Sequence, residues 1–215
     1  TLNQELLISS SVNSSIYADD ITSTRGAVSA FVGGATGSDL SGYTIKSNIT
    51  AKNSGSVTKT QNDYTLYGTT VAGILGRNTN TNLENFVVEL SVNARNYENM
   101  TIAGAVGYVV NSSATQPISI KNIQVNNLFV KLSTYTYTKL GTVSGVVVGV
   151  FDADTTIENV QVNNILVECM GTAQASGVAN TNHGTIKNVS VNGLIKGTVV
   201  AGFVNTNHGT ICFDD

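Results

Sequence analysis

Apolar residues alternate with polar ones over short runs of this chain, and Asn- and Gly-rich breaks separate the runs. In Ile157-Glu158-Asn159-Val160-Gln161-Val162-Asn163-Asn164-Ile165 the alternation puts Val160 and Val162 on one face of an extended strand and Gln161 on the other. The Asn163-Asn164 pair is expected to break that strand, because Asn tolerates left-handed backbone and bonds its own chain. Ile165-Leu166-Val167 then begins the next strand. Thr181-Asn182-His183-Gly184 reads as a turn, with Gly184 able to adopt positive φ. A third run is rich in small residues, as in Ala72-Gly73-Ile74-Leu75-Gly76, where the backbone can approach the core closely at a corner. Two strand runs, a Gly-rich run and three turns make one circuit.

The circuit repeats. Residues 177–186 read GVANTNHGTI and residues 202–211 read GFVNTNHGTI, 25 positions later. Val191-Asn192-Gly193-Leu194-Ile195 matches Val162-Asn163-Asn164-Ile165-Leu166 and Val125-Asn126-Asn127-Leu128-Phe129. Upstream of these lie Ile186-Lys187-Asn188-Val189, Ile157-Glu158-Asn159-Val160, Ile120-Lys121-Asn122-Ile123 and Leu83-Glu84-Asn85-Phe86. Asn85, Asn122, Asn159 and Asn188 are spaced by 37, 37 and 29 residues. The longer units then hold the same circuit plus surface insertions, at 112–116 and 134–139 among others.

A lone circuit cannot bury its inner face, whereas stacked circuits bury continuous ladders of Val, Ile and Leu. Stacked Asn side chains can also hydrogen-bond along the axis. The expected fold is therefore all-β, a parallel β-solenoid of about six irregular coils, right-handed because parallel crossovers favour that hand. An antiparallel β-sandwich is the alternative, although it gives no reason for near-identical decapeptides in fixed register. Composition agrees: 12% of residues are charged, 41% are hydrophobic and only one is proline. That is too apolar for disorder and too poor in helix formers for an α fold. Residues 1–215 form one domain, and Thr1, which is not an initiator Met, suggests a processed or excised segment of a longer chain or filament.

Gly73-Ile74-Leu75-Gly76 and Gly104-Ala105-Val106-Gly107, each followed by a turn and an Ile-x-Asn-Val type of phrase, resemble the GLUG repeat. Asn182-His183-Gly184-Thr185-Ile186-Lys187-Asn188 matches the second half of that motif, and residues 207–211 match it up to the Ile. Asn180 and Asn205 depart from it by replacing its second Gly. The resemblance covers most of residues 60–211 and implies a β-solenoid region of a surface or secreted protein. It implies no active site.

Candidate chemistry is sparse. His183 and His208 occupy equivalent turns, ~4.8 Å apart if the coils stack, and come nearest to a metal pair. No Cys or acid accompanies either one in its turn, so neither a metal centre nor any cofactor is expected. Asp152 and Asp154, with Asp19 and Asp20, are the acidic pairs. A polysaccharide lyase or hydrolase needs two carboxyls roughly 5 to 9.5 Å apart across a cleft, and the turns equivalent to Asp152 hold Asn, Thr and His. A lyase also wants a base nearby, and the arginines are Arg25, Arg77 and Arg95. No catalytic residue is therefore assigned.

Tyr64, Tyr67, Tyr97, Tyr108, Tyr135 and Tyr137 are candidate sugar platforms. The alternating threonines of residues 134–138 do not recur coil after coil, which excludes a regular Thr array. Sequons at Asn13, Asn48, Asn99, Asn111 and Asn188 are candidate N-glycosylation sites. Cys169 and Cys212 permit one disulfide, but a whole coil separates them in repeat phase, which favours two thiols.

With a net charge of −3 and no basic run, the chain lacks a nucleic-acid footprint, and no segment is apolar for long enough to span a membrane. The functional expectation is a non-enzymatic, extracellular or cell-surface scaffold, adhesin-like or filament-forming. Carbohydrate binding is the first alternative and a polysaccharide-active enzyme the second. Both ends fall in mid-unit, so the expected partners are further repeats or head-to-tail copies.

Overall fold

The structure, a computed structural model, describes residues 10–21, 27–53, 58–61, 64–67, 69–96, 100–110, 116–134, 141–171 and 173–214. The fold is a parallel β-solenoid. Each coil contributes one strand to each of three parallel sheets. The long sheet holds Ser10–Ile21, Asp39–Asn53, Asn82–Asn96, Ser119–Thr134, Thr156–Met170 and Thr185–Lys196, and Thr210–Cys212 starts a seventh turn. The second sheet holds Ala27–Ser29, Thr69–Ala72, Met100–Ala103, Gly141–Ser144, Ala173–Ser176 and Val199–Ala201. The third holds Val32–Thr36, Leu75–Thr79, Val106–Val110, Val147–Val150, Ala179–Asn182 and Val204–Asn207. The one described departure from parallel pairing is a hairpin, Thr58–Gln61 with Tyr64–Tyr67, inserted between the second coil's long strand and its next strand.

Alternation along the long strands sends one residue set inward, and register stacks that set. Ile45, Val88, Val125, Val162 and Val191 are successive partners, as are Leu83, Ile120, Ile157, Ile186 and Ile211. Those in the middle coils are fully buried, each stabilising the stack by roughly 1.5–3 kcal/mol relative to exposure.

Two features correct the strand-level expectations. Asn163-Asn164 does not end its strand, which runs from Thr156 to Met170. Asn164 and its counterpart Asn127 adopt φ of 56° and 54°, and the pairing register shifts at these points against the neighbouring strands Asn82–Asn96 and Thr185–Lys196. Their coils carry an extra residue there, so each strand bulges and bends while keeping its ladder. The Gly-rich run, in turn, is two strands rather than one. Gly73, Gly104, Gly145, Gly177 and Gly202 line up at the corner between the second and third sheets, and a Cβ on any of the first four would collide with the carbonyl oxygen of the next glycine.

The amide ladders are present. Asn122 donates to Asn85 at 3.2 Å, Asn159 to Asn122 at 3.4 Å and Asn188 to Asn159 at 3.4 Å. All four have φ between 52° and 60°, and Gly42 takes the place in the second coil with φ 81°. At the last coil Asp214 closes the ladder, accepting from the Asn188 amide at 2.8 Å and donating its backbone N–H to the Asn188 oxygen at 2.8 Å. Asn163 and Asn164 donate likewise to Asn126 and Asn127.

Strands Thr69–Ala72, Met100–Ala103 and Gly141–Ser144 are buried along their whole length, on both faces. Hydroxyls on the face away from the core therefore satisfy one another along the axis, Thr101 with Thr70 at 3.1 Å and Ser144 with Ser176 at 2.8 Å.

Candidate functional site

The histidines stand at the corner between the third sheet and the long sheet. The Asn182 side chain fixes the turn locally, accepting from the Gly184 N–H at 3.2 Å and donating to the Gly184 carbonyl at 3.1 Å. The His183 N–H donates to Val150 at 3.0 Å and the His208 N–H to Asn182 at 2.7 Å, so coil-to-coil bonds hold both backbones. The rings stack with centroids 4.7 Å apart and planes 26° from parallel. Below them Phe151 lies 6.3 Å from His183, and Tyr108 stacks 5.7 Å from Phe151. Four rings from four successive coils thus form one column along the axis. Sequence reasoning found the two histidines, because their turns are copies, but missed Phe151 and Tyr108, which have no shared motif.

Stacking decides the chemistry of the pair. Nitrogen lone pairs lie in the ring planes, so near-parallel rings send them side by side rather than toward a common point. Among the described residues no group of three His, Cys, Asp or Glu could hold a metal ion. What the arrangement supplies is ring-on-ring packing along the axis. Burial lowers the His183 pKa below its ordinary value, and the charge of His208 lowers it further.

The native state therefore binds fewer protons at His183 than the unfolded chain. Its contribution to stability is complete above the unfolded pKa near 6.5 and is lost as pH falls through the depressed native value. Acidification from about pH 7.5 to about pH 5.5 should lower the melting temperature more in the native chain than in His183→Phe, which keeps a ring in the column without a titrating group. The difference should stay below about 1 kcal/mol, since water screens this pair. Equal slopes in the two proteins would show that the stack is not pH-linked.

Asp152 and Asp154 sit in the turn between the fourth coil's last short strand and the fifth long strand. Asp152 accepts from the Thr155 hydroxyl at 2.9 Å, so its carboxylate bonds within its own turn, and Asp154 is exposed. Asp19 and Asp20 belong to the first long strand by their backbone, and Arg25 lies outside the described residues. Arg77 is half-buried in the third sheet and Arg95 is exposed on the long sheet.

Tyr108 is corrected as a sugar platform: it is 6% exposed and packs in the aromatic column. Tyr64 and Tyr67 belong to the inserted hairpin, and Tyr97, Tyr135 and Tyr137 lie outside the described residues, as do most of the alternating threonines and all of the two expected insertions except Gln116 and Thr134. Among the sequons, Asn13 and Asn48 are exposed on the outer face of the long sheet, and Asn99 and Asn111 lie outside the described residues. Asn188 is occupied by the ladder. Cys169 and Cys212 are both free, and burial against the core pushes the Cys169 thiol up to about 12, which keeps it protonated at neutral pH.

The outer face of the long sheet carries charges that alternate in sign from coil to coil. Lys46 meets Glu89 at 3.1 Å, Glu84 meets Lys121 at 3.4 Å, and Lys187 meets Glu158 at 3.5 Å and Asp214 at 2.9 Å. Hydrogen bonds from Lys187 and then Asn188 hold the Asp214 carboxyl below its usual range. These exposed pairs add little stability but oppose slippage of one coil over another. Among the described residues no helix is long and apolar enough to cross a membrane. No family model, no curated protein and no solved structure matches the chain.

Proposed function

We propose that this chain is a non-enzymatic structural segment of an extracellular or cell-surface protein, adhesin-like or filament-forming, whose role is length, stiffness and display. The observation that carries the reading is axial continuity. The core ladders, the Asn85-to-Asp214 amide ladder and the glycine corner all run parallel to one axis and repeat one coil-to-coil interface. The resemblance to GLUG repeats favours the same reading, and the exposed sequons Asn13 and Asn48 suit a secreted surface.

The partner this architecture suits is another coil. Val200 and Ile211 are 46% and 37% exposed, although their partners one coil below, Ala175 and Ile186, are fully buried. A like coil, from further repeats of the same polypeptide or from a head-to-tail copy, would cover them and pair the strand edges. Light scattering and electron microscopy over a concentration series test the head-to-tail arm. End-to-end assembly that Val200→Lys abolishes is the expected result. A chain that stays monomeric at high concentration, with that edge exposed, would remove self-assembly from the reading.

A further inference from the structure

The outer face of the long sheet breaks its own charge rule at one place. Elsewhere on this face, charged residues that are direct partners among the described residues are opposite in sign, including Lys131 with Glu168 and Glu168 with Lys196. Lys52 and Arg95 are direct partners on adjacent strands, and both are cationic. Like charges placed opposite one another weaken a sheet, and an anion beside Arg95 relieves that repulsion. The first strand carries Asp19 and Asp20 between Ala18, the partner of Ala51, and Ile21, the partner of Asn53. That places them on the Lys52 side, with the second coil's strand between them and Arg95.

A groove of about 190 Å³ opens at this pair, lined by Tyr17, Thr50, Lys52, Asn93 and Arg95 together with the flanking Ala18 and Ala51. Tyr17, Thr50 and Asn93 are successive partners across three coils, and the short Thr50 and Asn93 leave the space between the phenol and the cations. Tyr17 is 75% exposed, an aromatic surface presented to solvent. Tyr17 and Lys52 also have interactions within the protein, which steady them before any ligand arrives. The volume is below the roughly 300–1,000 Å³ of sites for drug-sized ligands, so one ring-sized unit fits rather than a larger molecule.

We propose that this groove binds one acidic sugar unit of a polysaccharide, a uronate or a sulfated hexose, a ligand site beyond the scaffold role. The guanidinium of Arg95 presents a fork of donors to a carboxylate or sulfate, and Lys52 adds a second charge. The face of Tyr17 takes the apolar face of the sugar ring, and Thr50 and Asn93 exchange hydrogen bonds with its hydroxyls. A bare inorganic anion would use the cations and leave the phenol without a role.

Calorimetric titration of the full chain with hexuronate tetrasaccharides, their neutral counterparts and inorganic sulfate tests this. The acidic sugar should bind with a Kd on the order of 0.1–1 mM. The neutral sugar and sulfate should each bind at least about tenfold more weakly, and added salt should weaken the acidic sugar. Arg95→Gln and Tyr17→Ala, both at exposed positions, should each weaken it about tenfold while leaving circular dichroism unchanged. Should Tyr17→Ala disturb the first coil, Arg95→Gln alone carries the test. No saturable binding of the acidic sugar, equal affinity for sulfate, or binding indifferent to Arg95→Gln would each overturn the proposal.

Discussion

Gly145→Ala is expected to destabilise the solenoid by about 3 kcal/mol or more, whereas Gly202→Ala should change stability by no more than about 0.5 kcal/mol. The two glycines occupy the same corner two coils apart, so the chemistry of the substitution is the same. Their surroundings differ. A Cβ on Gly145 would collide with the Gly177 carbonyl oxygen and come within 3.3 Å of Ile165 Cδ1, and backbone cannot step aside without separating two coils. A Cβ on Gly202 would meet nothing within 4 Å. Denaturant unfolding of the two variants beside the parent gives the comparison. If Gly145→Ala unfolds at the parent's midpoint, the close approach at this corner is not what the fold depends on.

Val162→Asp should be the most damaging single change in the long sheet, at roughly 3–5 kcal/mol. Val162 is fully buried between Val125 and Val191, and none of these neighbours offers a hydrogen bond or a positive charge to a carboxylate. Gln161→Asp, one residue away on the outer face, should stay within about 0.5 kcal/mol. Val191→Asp should fall between them, because Val191 is only half-buried one coil further along. Thermal melts of the three variants read out the inward register directly. A Gln161→Asp variant as unstable as Val162→Asp would mean that the two faces are assigned wrongly.

Much of this was legible in the chain because a solenoid writes its register into its repeats. The phrase containing Asn85, Asn122, Asn159 and Asn188 could be aligned by eye, and those residues do stack and exchange hydrogen bonds. The decapeptide pair placed His183 against His208 in the same way. What the repeats could not reveal has no repeat. Phe151 joins the histidine column from a turn of different sequence and Tyr108 from within a strand, and only the stacked backbone shows that the four rings share an axis. Tyr108 reads as an available platform, yet its strand is buried on both faces. The Lys52–Arg95 pair was likewise invisible as a pair, since 43 residues separate the two and register alone makes them neighbours.

By itself, then, the sequence determined the all-β class, the parallel stacking, the inward set of Val, Ile and Leu, and the axial amide ladders. Each follows from period-two alternation combined with self-similarity, which only stacked coils satisfy throughout. Tertiary structure decided how each circuit closes. Asn-Asn pairs could end a strand or bend it, and local propensity is the same for both outcomes; pairing with neighbouring strands on either side kept the ladder intact and made them bulges. The Gly-rich run could be one strand or two, and the collision of any Cβ with the next coil's backbone placed a corner at the glycine. Alternation sets which way a side chain points; which faces are finally buried, and which charges meet, depends on the coils above and below.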